Sequence, residues 1–141
     1  MPPGGKVVVK LHDVRVWRVV AVALGASLIC GELVRSWGQG RNLLFVLDDF
    51  FVGIPLVVSG LLMAKPTVAR HCALATSFGA AAGMLYPSFF SKLVEPAAPV
   101  ASNIASGLLT GLIGCAFTVA LLGVLATLCS AAYRSERPHD A

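Results

Sequence analysis

Two adjacent carboxylates, Asp48 and Asp49, are the residues of this sequence with the clearest chemical potential. They lie inside an apolar stretch that runs from Leu43 to Ala64. A helix that began after them would reach only about 22 Å, short of the roughly 30 Å hydrocarbon core of a bilayer. A helix that begins near Asn42 reaches about 33 Å and holds both carboxylates one to two turns inside its end. Ionisable groups at that depth usually face a helix bundle or a wet cavity, so a cation or proton site is one interpretation of the pair.

Three more charged residues are predicted to lie near the same end, namely Glu32, Arg35 and Arg41. Together with Asp48 and Asp49 they form a candidate ion site, called the polar cluster below. A structural interpretation is favoured over an ion site, because a helix dipole stabilises negative charge near the helix N-terminus and an Arg–Asp clamp can fix a loop. The spacing of Glu32 and Arg35 also suits a local ion pair along one helix.

The other reactive residue types favour no catalytic, metal or cofactor site. The four cysteines form no pair with C-x-x-C spacing, and the adjacent His71 and Cys72 point apart on a helix. Gly-rich phosphate loops and zinc motifs are missing from the sequence, and its serines, histidines and acids fall on different sides of the predicted membrane. We therefore expect no enzymatic activity, no cofactor and no metal. The scattered basic residues do not favour nucleic-acid binding either.

Composition sets the environment in which these residues act. Of the 141 residues, 57% are hydrophobic and 13% are charged, against roughly 45–50% and 25% in an ordinary soluble domain. One core of this size cannot bury so many apolar side chains, so the surplus is expected to face lipid. This balance excludes an ordinary soluble enzyme, a disordered chain and a disulfide scaffold.

Four apolar stretches are long enough to cross a bilayer. They cover residues 14–34, 43–64, 72–90 and 100–132. Short connections force neighbouring helices to run antiparallel, so we predict an all-α fold, a four-helix transmembrane bundle with up-down-up-down topology. Residues 1–13 and 133–141 are short polar tails. A cleaved signal peptide is the alternative for the first stretch, but bulky Ile29 before Cys30 does not suit a processing site, which favours a retained span.

Basic residues give the predicted bundle an orientation. Eight of the eleven fall on the side of the two termini, and the positive-inside rule therefore places both termini in the cytoplasm. Four of the seven acids fall on the opposite side, and Trp17 and Tyr133 mark the inner boundary. The composition, rich in Ala, Gly, Val and Arg, is consistent with a GC-rich bacterium. The predicted location is a bacterial cytoplasmic (inner) membrane.

Small residues at four-residue spacing predict how the helices associate. Helices in lipid associate through close backbone approach, and Gly79 and Gly83 share one helix face, as do Gly107 and Gly111. Packing within the bundle is the favoured interpretation, and an oligomer interface is the other. The leading functional prediction is a structural, accessory-subunit or assembly role through helix contacts, in a homo-oligomer or a larger membrane complex. The alternative is an oligomeric channel or transporter for a small cation or proton that uses the paired aspartates.

Parts of the sequence resemble small four-span bacterial membrane proteins. The likeness rests on Trp37-Gly38-Gln39-Gly40-Arg41, on the aspartate pair that follows, and on Gly83-Met84-Leu85-Tyr86. It implies a four-span bundle and no particular activity. The small multidrug resistance transporters need an acidic residue near the middle of their first span, whereas Glu32 lies at the edge of the first stretch here.

Overall fold

The computed structural model describes residues 14–36, 43–94 and 103–135. These described residues form four helices, α1 (Val14–Ser36), α2 (Leu43–Leu62), α3 (Val68–Val94) and α4 (Asn103–Ser135). The described ranges contain no strand, and the prediction of an all-α fold with four helices is confirmed. The predicted tail 1–13, and residues 136–141 of the other tail, lie outside the described residues.

Two of the described helical segments are long and apolar enough to cross a membrane, Val14–Val34 in α1 and Gly107–Tyr133 in α4. Large apolar side chains stand exposed on the outer surface of all four helices, for example Val19, Phe51, Leu93 and Leu125. Such a surface suits a surrounding solvent of lipid better than one of water. The structure thus supports membrane association, and the four-span topology stays a prediction.

The bundle consists of two closely packed antiparallel helix pairs. α1 packs most extensively against α2, and α3 against α4, whereas the contact between α2 and α3 is smaller and that between α1 and α4 smaller still. The buried core runs between the pairs and takes Ala21, Leu56, Phe78 and Ala120 from the four helices in turn. Each pair therefore has its own close contacts, and the pairs meet along a thinner boundary.

Glycine lets the backbones of α1 and α2 approach closely. A Cβ atom added at Gly25 would lie 2.6 Å from the backbone oxygen of Gly53, and one added at Gly53 would lie 2.9 Å from the oxygen of Gly25. Two turns further along α2, a Cβ added at Gly60 would lie 3.1 Å from the backbone oxygen of Arg18. Any side chain at Gly25 or Gly53 would push the two backbones apart.

Phenylalanine rings occupy the space that glycine leaves between α3 and α4. A Cβ added at Gly123 would lie 2.7 Å from the ring of Phe78, and one added at Gly114 would lie 2.7 Å from the ring of Phe89. Phe78 is fully buried, and its ring meets Trp17 of α1 edge-to-face with centroids 6.1 Å apart. Phe78 therefore connects α3 to both α4 and α1.

The glycines predicted to pack the helices together do not do so within one chain. For Gly83, Gly107 and Gly111 the described chain has nothing within 4 Å of an added Cβ, and for Gly79 the nearest atom is a Val124 methyl at 4.0 Å. All four are exposed. Packing inside the bundle, the favoured interpretation of their spacing, is therefore not what the structure shows. A spacing of four residues fixes a common face of a helix but not the direction in which that face points.

A hydrogen bond crosses the boundary between the two helix pairs at Pro55, which removes one backbone donor from α2. The hydroxyl of Ser77 in α3 lies 3.3 Å from the carbonyl oxygen of Pro55 and 2.9 Å from that of Ala73 in its own helix. Ser77 is buried, so these two carbonyls share one hydroxyl donor away from solvent.

Arg70 closes the turn between α2 and α3. Its Nη1 donates to the carbonyl oxygens of Leu62 at 3.0 Å and Lys65 at 2.6 Å, where α2 ends. Thr67 caps α3, because its Oγ1 accepts a hydrogen bond from the backbone amide of Arg70 at 3.3 Å. The turn is therefore fixed from both sides, which holds α2 and α3 antiparallel.

We expect Gly25→Ala to destabilise the bundle by about 1–3 kcal/mol, because the added methyl group overlaps the Gly53 carbonyl. The matched control is Gly31→Ala in the same helix, where the described chain leaves the position open. Alanine has the better helix propensity, so the control should be neutral or slightly stabilising. Equilibrium unfolding in mixed micelles measures both variants, and equal effects would contradict the close approach.

Ser77→Ala should lower the free energy of unfolding by about 0.5–1.5 kcal/mol, the usual range for a hydrogen bond between helices in a membrane. The neighbouring Thr76→Ala serves as the control, because Thr76 is exposed and donates only to Cys72 of its own helix. The same unfolding assay compares them. A Thr76→Ala effect as large as that of Ser77→Ala would show that the bond to Pro55 is not important.

Candidate functional site

The polar cluster draws on the end of α1 and the start of α2, which lie side by side because the helices are antiparallel. Gly53 lies against Ile29, and Gly25 lies against Leu56. Because the two helices are antiparallel, moving one residue toward the end of α1 matches moving one residue toward the start of α2 at the same height of the bundle. Either contact therefore places Glu32 at the height of Asp49, within about one residue rise of 1.5 Å.

The three carboxylates of the polar cluster differ in burial. Glu32 is 3% exposed, Asp49 is half-buried and Asp48 is exposed. Adjacent residues on a helix point about 100° apart, which explains why only one of the two aspartates turns toward the bundle. The inward part of the cluster is therefore Glu32 with Asp49.

Of the two cations predicted for the polar cluster, the structure describes only the backbone position of Arg35. Arg35 lies in the last turn of α1, three residues after Glu32, and Arg41 lies outside the described residues. The backbone of α1 thus gives Arg35 and Glu32 the spacing of helix neighbours. The structure brings Glu32, Arg35, Asp48 and Asp49 to one end of the α1–α2 pair.

An aromatic cluster stands at the same end of the other helix pair. It consists of Tyr86, Phe89 and Phe90 on α3 and Phe117 on α4. Phe89 stacks on Phe117 with ring centroids 6.0 Å apart, and Tyr86 lies 4.5 Å from Phe90 by the same measure. Tyr86 is 54% exposed. The cluster packs α3 against α4 and leaves the ring of Tyr86 on the surface of the bundle.

A buried histidine lies at the opposite end of the bundle, where the sequence predicts no site. His71, in the first turn of α3, is 1% exposed. Its ring Nδ1 lies 2.8 Å from the carbonyl oxygen of Thr67, which also accepts the backbone amide of His71 at 3.0 Å. The helix period was the available signal, because His71 shares a face with Leu74 and Phe78, and that face is buried. His71 is a core histidine held at the start of its own helix.

The described residues form no evident metal-binding site. No group of three His, Cys, Asp or Glu residues is placed there to hold a metal ion. Cys30, Cys72, Cys115 and Cys129 are exposed free thiols. The polar cluster, with its carboxylates, is therefore the candidate functional site.

Comparison of the chain with protein-family models, with curated proteins and with solved structures finds no match in any of the three. The interpretation of the site rests on its own residues and their geometry.

Replacing the buried carboxylate should be far more costly than replacing the exposed one. We expect Glu32→Ala to lower the free energy of unfolding by about 1–3 kcal/mol, because it leaves a void and unsatisfied polar surroundings. Asp48→Ala should change it by less than about 0.5 kcal/mol, as is usual for exposed positions. Unfolding in mixed micelles measures both. Similar values for the two variants would show that Glu32 is not an integral part of the packing.

Proposed function

We propose that this protein is a small integral membrane protein that acts through helix contacts, as a subunit of a homo-oligomer or of a larger membrane complex. The observation that carries the proposal is the small face of α3. We define this face as six exposed residues, none larger than threonine: Cys72, Ala73, Thr76, Gly79, Ala80 and Gly83.

The small face suits a partner helix better than it suits lipid alone. Glycine inside a helix costs about 1 kcal/mol relative to alanine, and the described chain has nothing within 4 Å of a Cβ added at Gly83. In lipid, small residues allow a second backbone to approach, and the close contact supplies the packing energy. The outer surface of α4 also exposes Gly107 and Gly111, but there large side chains lie beside them, among them Leu108, Leu112, Leu121 and Leu125. We therefore place the association surface on α3.

The proposed setting is a bacterial cytoplasmic membrane that the chain crosses four times, with both termini in the cytoplasm. The length and apolarity of α1 and α4 support it. So does the distribution of charge along the bundle. Arg15, Arg18, Lys65 and Arg70 lie at one end of the helices, and the acids Glu32, Asp48 and Asp49 lie at the other. The middle of each helix is free of Lys, Arg, Asp and Glu.

A second function is favoured by the burial of Glu32 at the height of Asp49. In this function an oligomer conducts or transports a small cation or proton, and the inward carboxylates of the polar cluster bind it. Flux through proteoliposomes should then fall at least about tenfold in Glu32→Gln or Asp49→Asn, as expected when a required charge is lost. The exposed Asp48→Asn is the control. Absence of flux in the parent protein would reject this function.

Bulky residues on the small face should separate associated copies. We expect the double variant Gly79→Leu, Gly83→Leu to lower resonance energy transfer between labelled copies in proteoliposomes, with at least about tenfold weaker association. The control carries the same change on the other helix, Gly107→Leu with Gly111→Leu. Unchanged association of the α3 variant would contradict the proposed surface. A parent protein that stays monomeric and co-purifies with no membrane protein would contradict the function itself.

A further inference from the structure

One end of the bundle presents a concentration of positive charge. We call it the basic end and define it by Arg15 and Arg18 near the start of α1 and by Lys65 and Arg70 at the α2–α3 turn. These residues lie together because the start of α1 packs beside the end of α2, where a Cβ added at Gly60 would lie 3.1 Å from the Arg18 backbone oxygen. The described acids lie at the opposite end, so the described part of this surface has no negative side chain.

Within the basic end, the guanidinium of Arg70 is held in place by the α2–α3 turn. Its Nη1 bonds to the carbonyl oxygens of Leu62 and Lys65 hold the group against the end of α2. A guanidinium has five N–H donors, and those on Nε and Nη2 have no acceptor among the described residues. Arg70 thus offers a pre-positioned pair of donors, and paired donors of this kind match the oxygens of a phosphate group.

Apolar and aromatic side chains border the basic end. Leu61 and Leu62 are exposed just before the turn, and Val19 is exposed one turn inside α1. Tyr133 is exposed on α4, and it falls at the height of Val68 because Phe78 packs against Gly123 in the antiparallel α3–α4 pair. A ring of cations above an aromatic and aliphatic belt is the arrangement found where a membrane protein meets lipid headgroups.

We infer that the basic end binds the phosphate of an anionic phospholipid. Arg70 donates its free N–H groups to the phosphate oxygens, and Arg15, Arg18 and Lys65 supply the surrounding charge. A lipid fits better than a free phosphate ion, because the exposed Leu61 and Leu62 continue the site into an apolar surface that acyl chains can cover. The inference rests on the membrane setting of the proposed function but not on association through the small face.

Native mass spectrometry of the purified full-length protein tests this inference. The protein in non-ionic detergent is titrated with phosphatidylglycerol or phosphatidylcholine, and bound lipid is read on the monomer peak. We expect phosphatidylglycerol to be retained more strongly than phosphatidylcholine. Lys65→Gln should lower its retention about fivefold and Arg15→Gln with Lys65→Gln further, since each surface cation contributes about that factor. Arg70 stays unchanged in these variants because it also closes the turn.

Lys92→Gln is the matched control, because Lys92 is an exposed lysine at the opposite end of α3. Its retention of phosphatidylglycerol should equal that of the parent protein. Equal retention of the two lipids, or equal effects of Lys65→Gln and Lys92→Gln, would overturn the inference. Displacement of phosphatidylglycerol by millimolar inorganic phosphate would also overturn it, in favour of a free-anion site. Because only monomers are read, failure here is distinct from failure of the proposed helix association.

Discussion

The close backbone contact between Gly25 and Gly53 is the interaction on which the arrangement of the bundle depends. Lipid chains compete with leucine for leucine, so apolar side chains alone do not hold helices together in a membrane. Two backbones in contact gain dispersion energy that lipid cannot match. α1 and α2 use glycine against glycine, whereas α3 and α4 use phenylalanine rings against Gly114 and Gly123. Each kind of contact holds one antiparallel pair together. The contact of Phe78 with Trp17 then joins the α3–α4 pair to the α1–α2 pair.

This division into pairs determines where polar residues are placed. The buried Ser77 and its hydrogen bond to Pro55 lie at the thinner boundary between the pairs. A hydrogen bond is directional, and here it adds to the stability of a contact where packing is less extensive. The ionisable residues lie toward the ends, with Glu32 and Asp49 at one end and the cations of the turn at the other. The two ends thus differ in charge and in the partners that they suit. The proposed functions use this difference, together with the small face between the ends.

The sequence predicted the helices well and the direction of their faces poorly. Apolar length and short connections were enough for four helices and their order, because both are local properties. Spacing of four identified Gly79 with Gly83, but it does not tell an inward face from an outward one. That choice depends on tertiary contacts, such as Phe78 entering the space at Gly123. For the same reason the burial of Glu32 followed only from the structure, and the helix period groups His71 with Leu74 and Phe78 without telling that their face is buried. Both residues are polar, and hydropathy alone assigns them to the ends of helices.

The proposed functions depend on hydrocarbon surrounding the outward faces of these helices. Nitroxide labels at the exposed Ala26, Ile54 and Leu121, in a background without native cysteines, report on it directly in proteoliposomes through collisions with oxygen and with a water-soluble nickel complex. If lipid surrounds the helices, we expect high oxygen and low nickel accessibility at all three positions, and the reverse at Lys65 in the turn. Since α3 runs between α2 and α4, it would then cross as well. Nickel accessibility at Ile54 equal to that at Lys65 would contradict the account.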